Sequence, residues 1–385
     1  MRDDFSAPTY VNVGQSSQAD TKTAVQEATA QIVPAETCFV LAFTPQGHDL
    51  GVLAQELELR LAGVPVFGCT TAGQITSKGY ESESLLLLAF NKANFRCASL
   101  LLSPLNPLCI TTIAAAAKRH AQQFQHTAGW NRLGLIISDG VSKQEDLLIS
   151  TLETVLDDLP IFGGSAGDGL AFKKTFVLHQ GKFHENAALL LLLETNLQFQ
   201  GLGFDHFLPA GTQLIITDAD PEERLVFEIN GELAAVEYAR LVGCTVEELS
   251  PLTFAENPLL VQHNKNYFVR AINNATDNHA LSFLAAIDNG LIMTLGKGQE
   301  ILETMDAGLN VVDAHGRPPD FILGFDCVLR KLEIEQKQLL GQASELFRNR
   351  RVFGFNTYGE QHCGVHMNQT FVGVAFFEPE ERHLF

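Results

Sequence analysis

One pattern recurs three times in this chain and limits what it can fold into. Phe67-Gly-Cys-Thr-Thr-Ala-Gly73, Phe162-Gly-Gly-Ser-Ala-Gly167 and Phe353-Gly-Phe-Asn-Thr-Tyr-Gly359 are three versions of one glycine loop. Each is preceded by an apolar run and a segment of helical period, and each is followed by another apolar run. The chain therefore reads as a strand, helix, strand, loop, strand unit used three times.

In the first unit Phe39 to Phe43 leads to Leu50, Leu53, Ala54, Leu57 and Leu61, then to the loop and to Leu85 to Phe90. In the second, Leu133 to Ser138 leads to Leu148, Leu152 and Val155, the loop, and Ala187 to Leu193. The third runs from Phe321 to Phe325 through Leu329, Leu332, Gln336, Leu339, Ala343 and Leu346 to its loop and Thr370 to Phe377. Spacings of three and four give each helix one apolar stripe, and unbroken apolar runs suit strands buried on both faces. A helix between two such strands implies a parallel pair, so the fold class is α/β with mixed α+β character. Each loop then leaves the carboxyl end of a buried strand, where open α/β sheets place their ligands.

With 385 residues the chain calls for two domains. The first, 1–215, holds two units; the second, 216–385, joins an antiparallel segment to the third unit. Phe95 to Leu102 is expected as the hairpin partner of Leu85 to Phe90. A formal charge of −19 repels phosphate backbones and anionic lipid, so no nucleic-acid or membrane partner is expected. No apolar run reaches the ~18 to 20 residues that span a bilayer, and the amino terminus lacks a signal peptide's pattern, so the expected compartment is the cytoplasm. Seven cysteines with no Cys-x-x-Cys pair point to reduced thiols.

The loops continue with Gln74, Asp168 and Glu360 where a P-loop would carry lysine, which argues against triphosphate binding. No catalytic constellation is read from the chain, so it is not expected to be an enzyme. The densest group of ligating side chains lies between Tyr358 and Thr370: Glu360, His362, Cys363, His366, Met367 and Asn368. Either this is a polar loop whose histidines bond backbone groups, or it is a ligand site.

Val64-Pro-Val-Phe-Gly-Cys-Thr-Thr-Ala-Gly73, Leu159-Pro-Ile-Phe-Gly-Gly-Ser-Ala-Gly-Asp168, Phe321-Ile-Leu-Gly-Phe-Asp-Cys327 with Arg330, and Tyr358-Gly-Glu-Gln361 with Asn368-Gln-Thr370 resemble the paired FIST N and FIST C domains. The resemblance implies an intracellular bacterial sensory protein that binds a small ligand. A FIST protein of this layout is similar to the NosP-type sensors, which implies heme b as cofactor, nitric oxide as signal, and a histidine kinase in biofilm or cyclic-di-GMP control as partner. A homodimer is left open. A proximal heme ligand must be a neutral side chain in an apolar cleft. His366 is ranked first and His362 second, with Phe353 or Phe355 as apolar wall and Gly359 and Glu360 beside them, all lining the principal pocket. The competing expectation is a sensor of an amino acid or similar metabolite without heme, its carboxylate on the loop amides and its amine on Asp168 or Glu360. A Cys327 or Cys363 nucleophile is disfavoured.

Overall fold

A computed structural model of the chain describes residues 7–156, 158–263 and 266–380. The first unit comprises β1 (Val11–Ser16), α1 (Thr21–Thr29), β2 (Thr37–Thr44), α2 (Leu50–Arg60), β3 (Val66–Thr70), β4 (Gln74–Thr76), β5 (Gly79–Glu81) and β6 (Leu85–Asn91). Asp20 and Asp49 start its helices by accepting the Thr23 and Val52 amides, at 2.9 and 3.0 Å. The second unit repeats the order: β7 (Phe95–Leu102), α3 (Ile110–Gln123), β8 (Asn131–Ser138), α4 (Glu145–Val155), β9 (Ile161–Ser165), β10 (Val177–His179), β11 (Lys182–His184) and β12 (Ala188–Thr195).

The third unit opens with β13 (Leu197–Phe204) and is interrupted by an insert. The insert holds β14 (Phe207–Asp220), β15 (Leu225–Ile229), β16 (Glu232–Leu233), α5 (Ala234–Val242), α6 (Pro251–Glu256), β17 (Leu259–His263), β18 (Asn266–Arg270), β19 (Ile272–Ala275), β20 (Leu281–Phe283) and β21 (Ile292–Gly298). The unit then resumes with α7 (Ile301–Leu309), β22 (Phe321–Cys327), α8 (Val328–Gln336), α9 (Leu340–Asn349), β23 (Val352–Thr357), β24 (Glu360–His362), β25 (Val365–Met367) and β26 (Phe371–Pro379). One continuous helix was expected where α8 and α9 stand. Gln338, with φ of 58°, takes a left-handed conformation that ends the first before the second begins.

Three six-stranded sheets result, in the orders β1-β6-β2-β3-β10-β11, β7-β12-β8-β9-β24-β25 and β13-β26-β22-β23-β4-β5. The middle pairs β2/β3, β8/β9 and β22/β23 are parallel, as the crossover helices require. Each sheet ends in a hairpin that belongs to another unit. The first unit's hairpin β4–β5 completes the third sheet, the second unit's β10–β11 completes the first, and the third unit's β24–β25 completes the second. The ring of exchanges closes on itself.

This arrangement corrects the expected β6/β7 hairpin. β6 is already flanked by β1 and β2, so β7 crosses to the next sheet and pairs with β12 from Leu102↔Ala188 to Phe95↔Thr195. The turn that allows the crossing is tied to its counterpart in the next unit, where the Asn94 side-chain amide donates to Asn196 Oδ1 at 2.9 Å.

The second residue of each loop motif is glycine for a packing reason. A Cβ on Gly68, Gly163 or Gly354 would lie 1.9, 1.8 and 1.8 Å from the carbonyl oxygens of Ala42, Ile136 and Gly324 on the neighbouring parallel strand. Behind these strands, one core gathers side chains from all three units. Phe43 packs on Phe355 with ring centroids 4.7 Å apart, Phe39 on Phe90 at 4.5 Å and Phe321 on Phe376 at 4.8 Å. The division expected near residue 215 falls inside β14, and the third unit shares this core with the first two. The insert has a separate core around Leu214, Ile216, Tyr238, Phe254 and Met293. It leaves and rejoins the third unit at one point, where the Gln299 amide donates to the His206 carbonyl at 2.7 Å.

Candidate functional site

The glycine loops meet at the centre of the three sheets, and their amides are taken up by one another. Ala72 N donates to the Asn356 carbonyl at 3.0 Å and Asn356 N to Gly73 at 2.8 Å. Gly167 N donates to Thr70 at 3.0 Å, Ser165 N to Gly359 at 2.8 Å and Tyr358 N to Ser165 at 3.2 Å. They therefore do not form an anion cradle at a cleft, although strand-end loops in open sheets commonly do.

The two loop carboxylates are occupied as well. Asp168 accepts the amides of Phe172, Lys173 and Lys174 at 2.8, 2.9 and 2.9 Å and the Tyr358 hydroxyl. Glu360 is fully buried between Thr357 and Thr370, whose hydroxyl lies at 2.6 Å. Burial pushes the Glu360 carboxyl up to about 8, so it is mostly protonated at neutral pH. Gln74 fills the matching place in the first unit, bonding Thr71 at 2.6 Å and the Ser84 amide at 3.2 Å. Neither acid is free to meet a ligand amine.

A feature the sequence reading missed is the spacing Gly-x-Ser-x-Gly within Gly163 to Gly167. In a nucleophile elbow that serine stands exposed on a strand-to-helix turn beside a histidine. Here Ser165 ends a strand and is fully buried, bonded to Ser138 at 3.1 Å and to the Gln361 amide at 2.9 Å. Asp326 and Arg330 are also buried, in a lock that joins units. Arg330 Nε donates to Asp326 at 2.9 Å, Tyr80 of the first unit's hairpin donates to the same carboxylate at 2.6 Å, and Arg330 Nη1 lies 3.3 Å from His206 at the neck of the insert.

Open space lies beside the third unit's hairpin. β24 and β25 are joined by Cys363 and Gly364, with φ of 51° and 70°, a turn that needs left-handed residues. A cavity of about 480 Å³ is lined by Gly201, Gly203, Phe204 and Asp205, by Tyr267 and Phe268 of the insert, and by His362, Cys363, Met367 and Thr370. Its volume suits a small organic ligand. Gly201 and Gly203 form the floor: a Cβ at Gly201 would come within 2.4 Å of Phe162, and one at Gly203 would press on the His362 ring at 3.3 Å. His362 stacks on Phe162 with centroids 4.7 Å apart, and its Nε2 lies 3.2 Å from Cys363 Sγ. Burial lowers the His362 pKa, so the imidazole is neutral at pH 7. Burial and the nearby Glu153 raise that of Cys363, which keeps it a thiol.

His366 lies elsewhere. It is buried, with Nδ1 3.0 Å from the Gln361 side-chain amide. Its other edge abuts Gly359, where a Cβ would lie 2.2 Å from Cε1, so no porphyrin face fits against that edge. It lines a smaller cavity, of about 290 Å³. Phe355 is wholly in the core, and Phe353 borders a different groove, beside Val13 and Arg348. The aromatic wall expected from them comes instead from Phe204, Tyr267 and Phe268. Of the residues singled out in the sequence, the structure brings only His362, Cys363, Met367 and Thr370 to the larger cavity. Gly201-Leu-Gly203, two glycines on one face of a strand, was the available signal for its floor.

Among the described residues no group of three or more His, Cys, Asp or Glu is placed to hold a metal ion. A porphyrin iron needs only one or two protein ligands. No described helix is long and apolar enough to cross a membrane. The family model of the FIST N domain matches residues 38–232, and that of the FIST C domain matches 234–363. No curated protein matches the chain.

Proposed function

Because the chain belongs to the FIST family of signal-transduction sensor domains, we propose that it is a cytoplasmic sensor holding heme b in the cavity of about 480 Å³, with His362 as proximal ligand. The observation that carries this is a neutral imidazole at the wall of an aromatic-sided cavity, its ring fixed by stacking on Phe162. When bound, the iron supplies reversible coordination of nitric oxide. The chain's own residues would hold and shield the group: Phe162 fixes the plane of the His362 ring, whose Nε2 lies 3.2 Å from Cys363 Sγ, and Phe204, Tyr267 and Phe268 would cover the apolar side. The signal would leave through the hairpin or the insert, both of which line the cavity, to a partner histidine kinase. No catalysis is assigned, since Cys327 is buried and burial holds its thiol protonated.

Protein reconstituted with heme should show a Soret band, and His362→Ala should lose it and regain it with imidazole. His366→Ala should leave the spectrum in place. Retention of the band in the first variant and loss in the second would move the ligand to His366. A second reading has support of its own, because among the described residues no Lys or Arg lines the cavity to meet heme propionates while Asp205 does line it. A metabolite with an aromatic body and an amine would use that carboxylate. If heme fails to bind and aromatic amines raise the melting temperature, this second reading replaces the first.

A further inference from the structure

The cavity of about 290 Å³ shares Phe268 with the larger one and lies between the β24–β25 hairpin, the amino end of α4 and the insert. Arg270 is set into its wall with a side chain only 13 % exposed. Nη1 donates to the His366 carbonyl at 2.6 Å. Nη2 reaches no closer than 4.0 Å to Asp146, and Nε is buried with no hydrogen-bond partner. Nε and Nη2 lie on one edge of the guanidinium, the edge that matches the two oxygens of a carboxylate. A buried donor left unmet costs free energy, which favours an occupant that accepts from it.

Asp146 Oδ1, 4.0 Å from Nη2, stands beyond hydrogen-bond distance of that edge, while its Oδ2 accepts the Ala286 amide at 3.2 Å and lies 3.5 Å from Arg224, which also pairs with Glu145. Among the described residues the charged groups lining the cavity are Arg270 and Asp146; Arg224 and Glu145 pair with each other beside Asp146, and Asp288 lies near Arg270. Val261, Leu291 and Val365 supply apolar wall on the other sides. We propose that this cavity binds a small carboxylate with a short aliphatic body, its two oxygens on the Nε and Nη2 edge of Arg270. The site is separate from the heme reading and does not depend on it.

Butyrate and its uncharged isostere butyramide are the probes, with the melting temperature and titration calorimetry of the full chain as readouts. Butyrate should raise the melting temperature saturably in the millimolar range, and butyramide should not. Arg270→Gln should weaken butyrate at least tenfold. Because Arg270 also holds the His366 carbonyl, that variant could fail to fold, so Leu291→Phe, which fills the space without touching a charge, should weaken butyrate by a similar factor. Equal effects of acid and amide, no saturable effect of butyrate, or undiminished binding in Leu291→Phe would each overturn the assignment. The Soret band should be unchanged in both variants, which separates this site from the one at His362.

Discussion

At the scale of single residues, pseudo-equivalence between units explains choices that look arbitrary alone. Glu360 stands where the first unit has Gln74, and burial keeps it protonated, so it serves as an amide would. Its folded pKa, about 8, lies above the ordinary value of 4.5, so between those limits the folded chain holds a proton that the unfolded chain has released. The stability from this group is fully present below about pH 4.5 and is lost as pH rises to about 8, roughly 3–5 kcal/mol in all. Urea midpoints measured from pH 5 to 8 should therefore fall for the native chain relative to Glu360→Gln, which should be the more stable of the two at pH 8. Parallel curves would show that Glu360 is ionised. Glycine gives a second test. Alanine at Gly68, Gly163 or Gly354 should cost about 4 kcal/mol or more in each, because the added methyl overlaps a carbonyl oxygen. Alanine at Gly341, in α9 with no atom within 4 Å, should gain about 0.5–1 kcal/mol.

At the scale of elements, the insert is the part most separable from the rest. Its strands start and end on adjacent positions, Phe207↔Gly298, beside the His206 to Gln299 hydrogen bond. Joining Phe207 directly to Gly298 should leave a folded three-sheet core, seen as retained far-UV circular dichroism and one cooperative transition. The excised chain should bind neither heme nor butyrate, since Tyr267, Phe268 and Arg270 leave with the insert. The crossover helices and the buried strands of the three units were legible in the sequence because apolar periodicity acts locally, as in α2 and α4. The destination of each hairpin was not. An edge strand pairs through backbone amides that carry no residue code, so nothing in Gln74 to Glu81 says which sheet β4 joins. The larger cavity was hidden for the same reason: His362 meets Gly201 and Tyr267 only once β24 has joined the second sheet and the insert has folded over it.

At the scale of the whole molecule, three units share one core and exchange one hairpin each, so they should unfold together. Coincident near-UV and far-UV transitions in urea would bear this out for the core, while the insert, with its own apolar cluster, should give a separate and earlier loss of heme or butyrate binding. The Tyr80 to Asp326 bond ties the first unit's hairpin into the third sheet, and Tyr80→Phe should lower the stability of the entire core by about 1–3 kcal/mol. The ring of exchanged hairpins also sets an order of events during synthesis. The β4–β5 hairpin is translated long before β23, so its place beside that strand does not exist until the third unit has followed, and β3 waits with an open edge for β10. The first hairpin thus waits on the last parallel pair, and a ribosome stalled anywhere between residues 81 and 352 holds a protein with a finished hairpin and nowhere to put it.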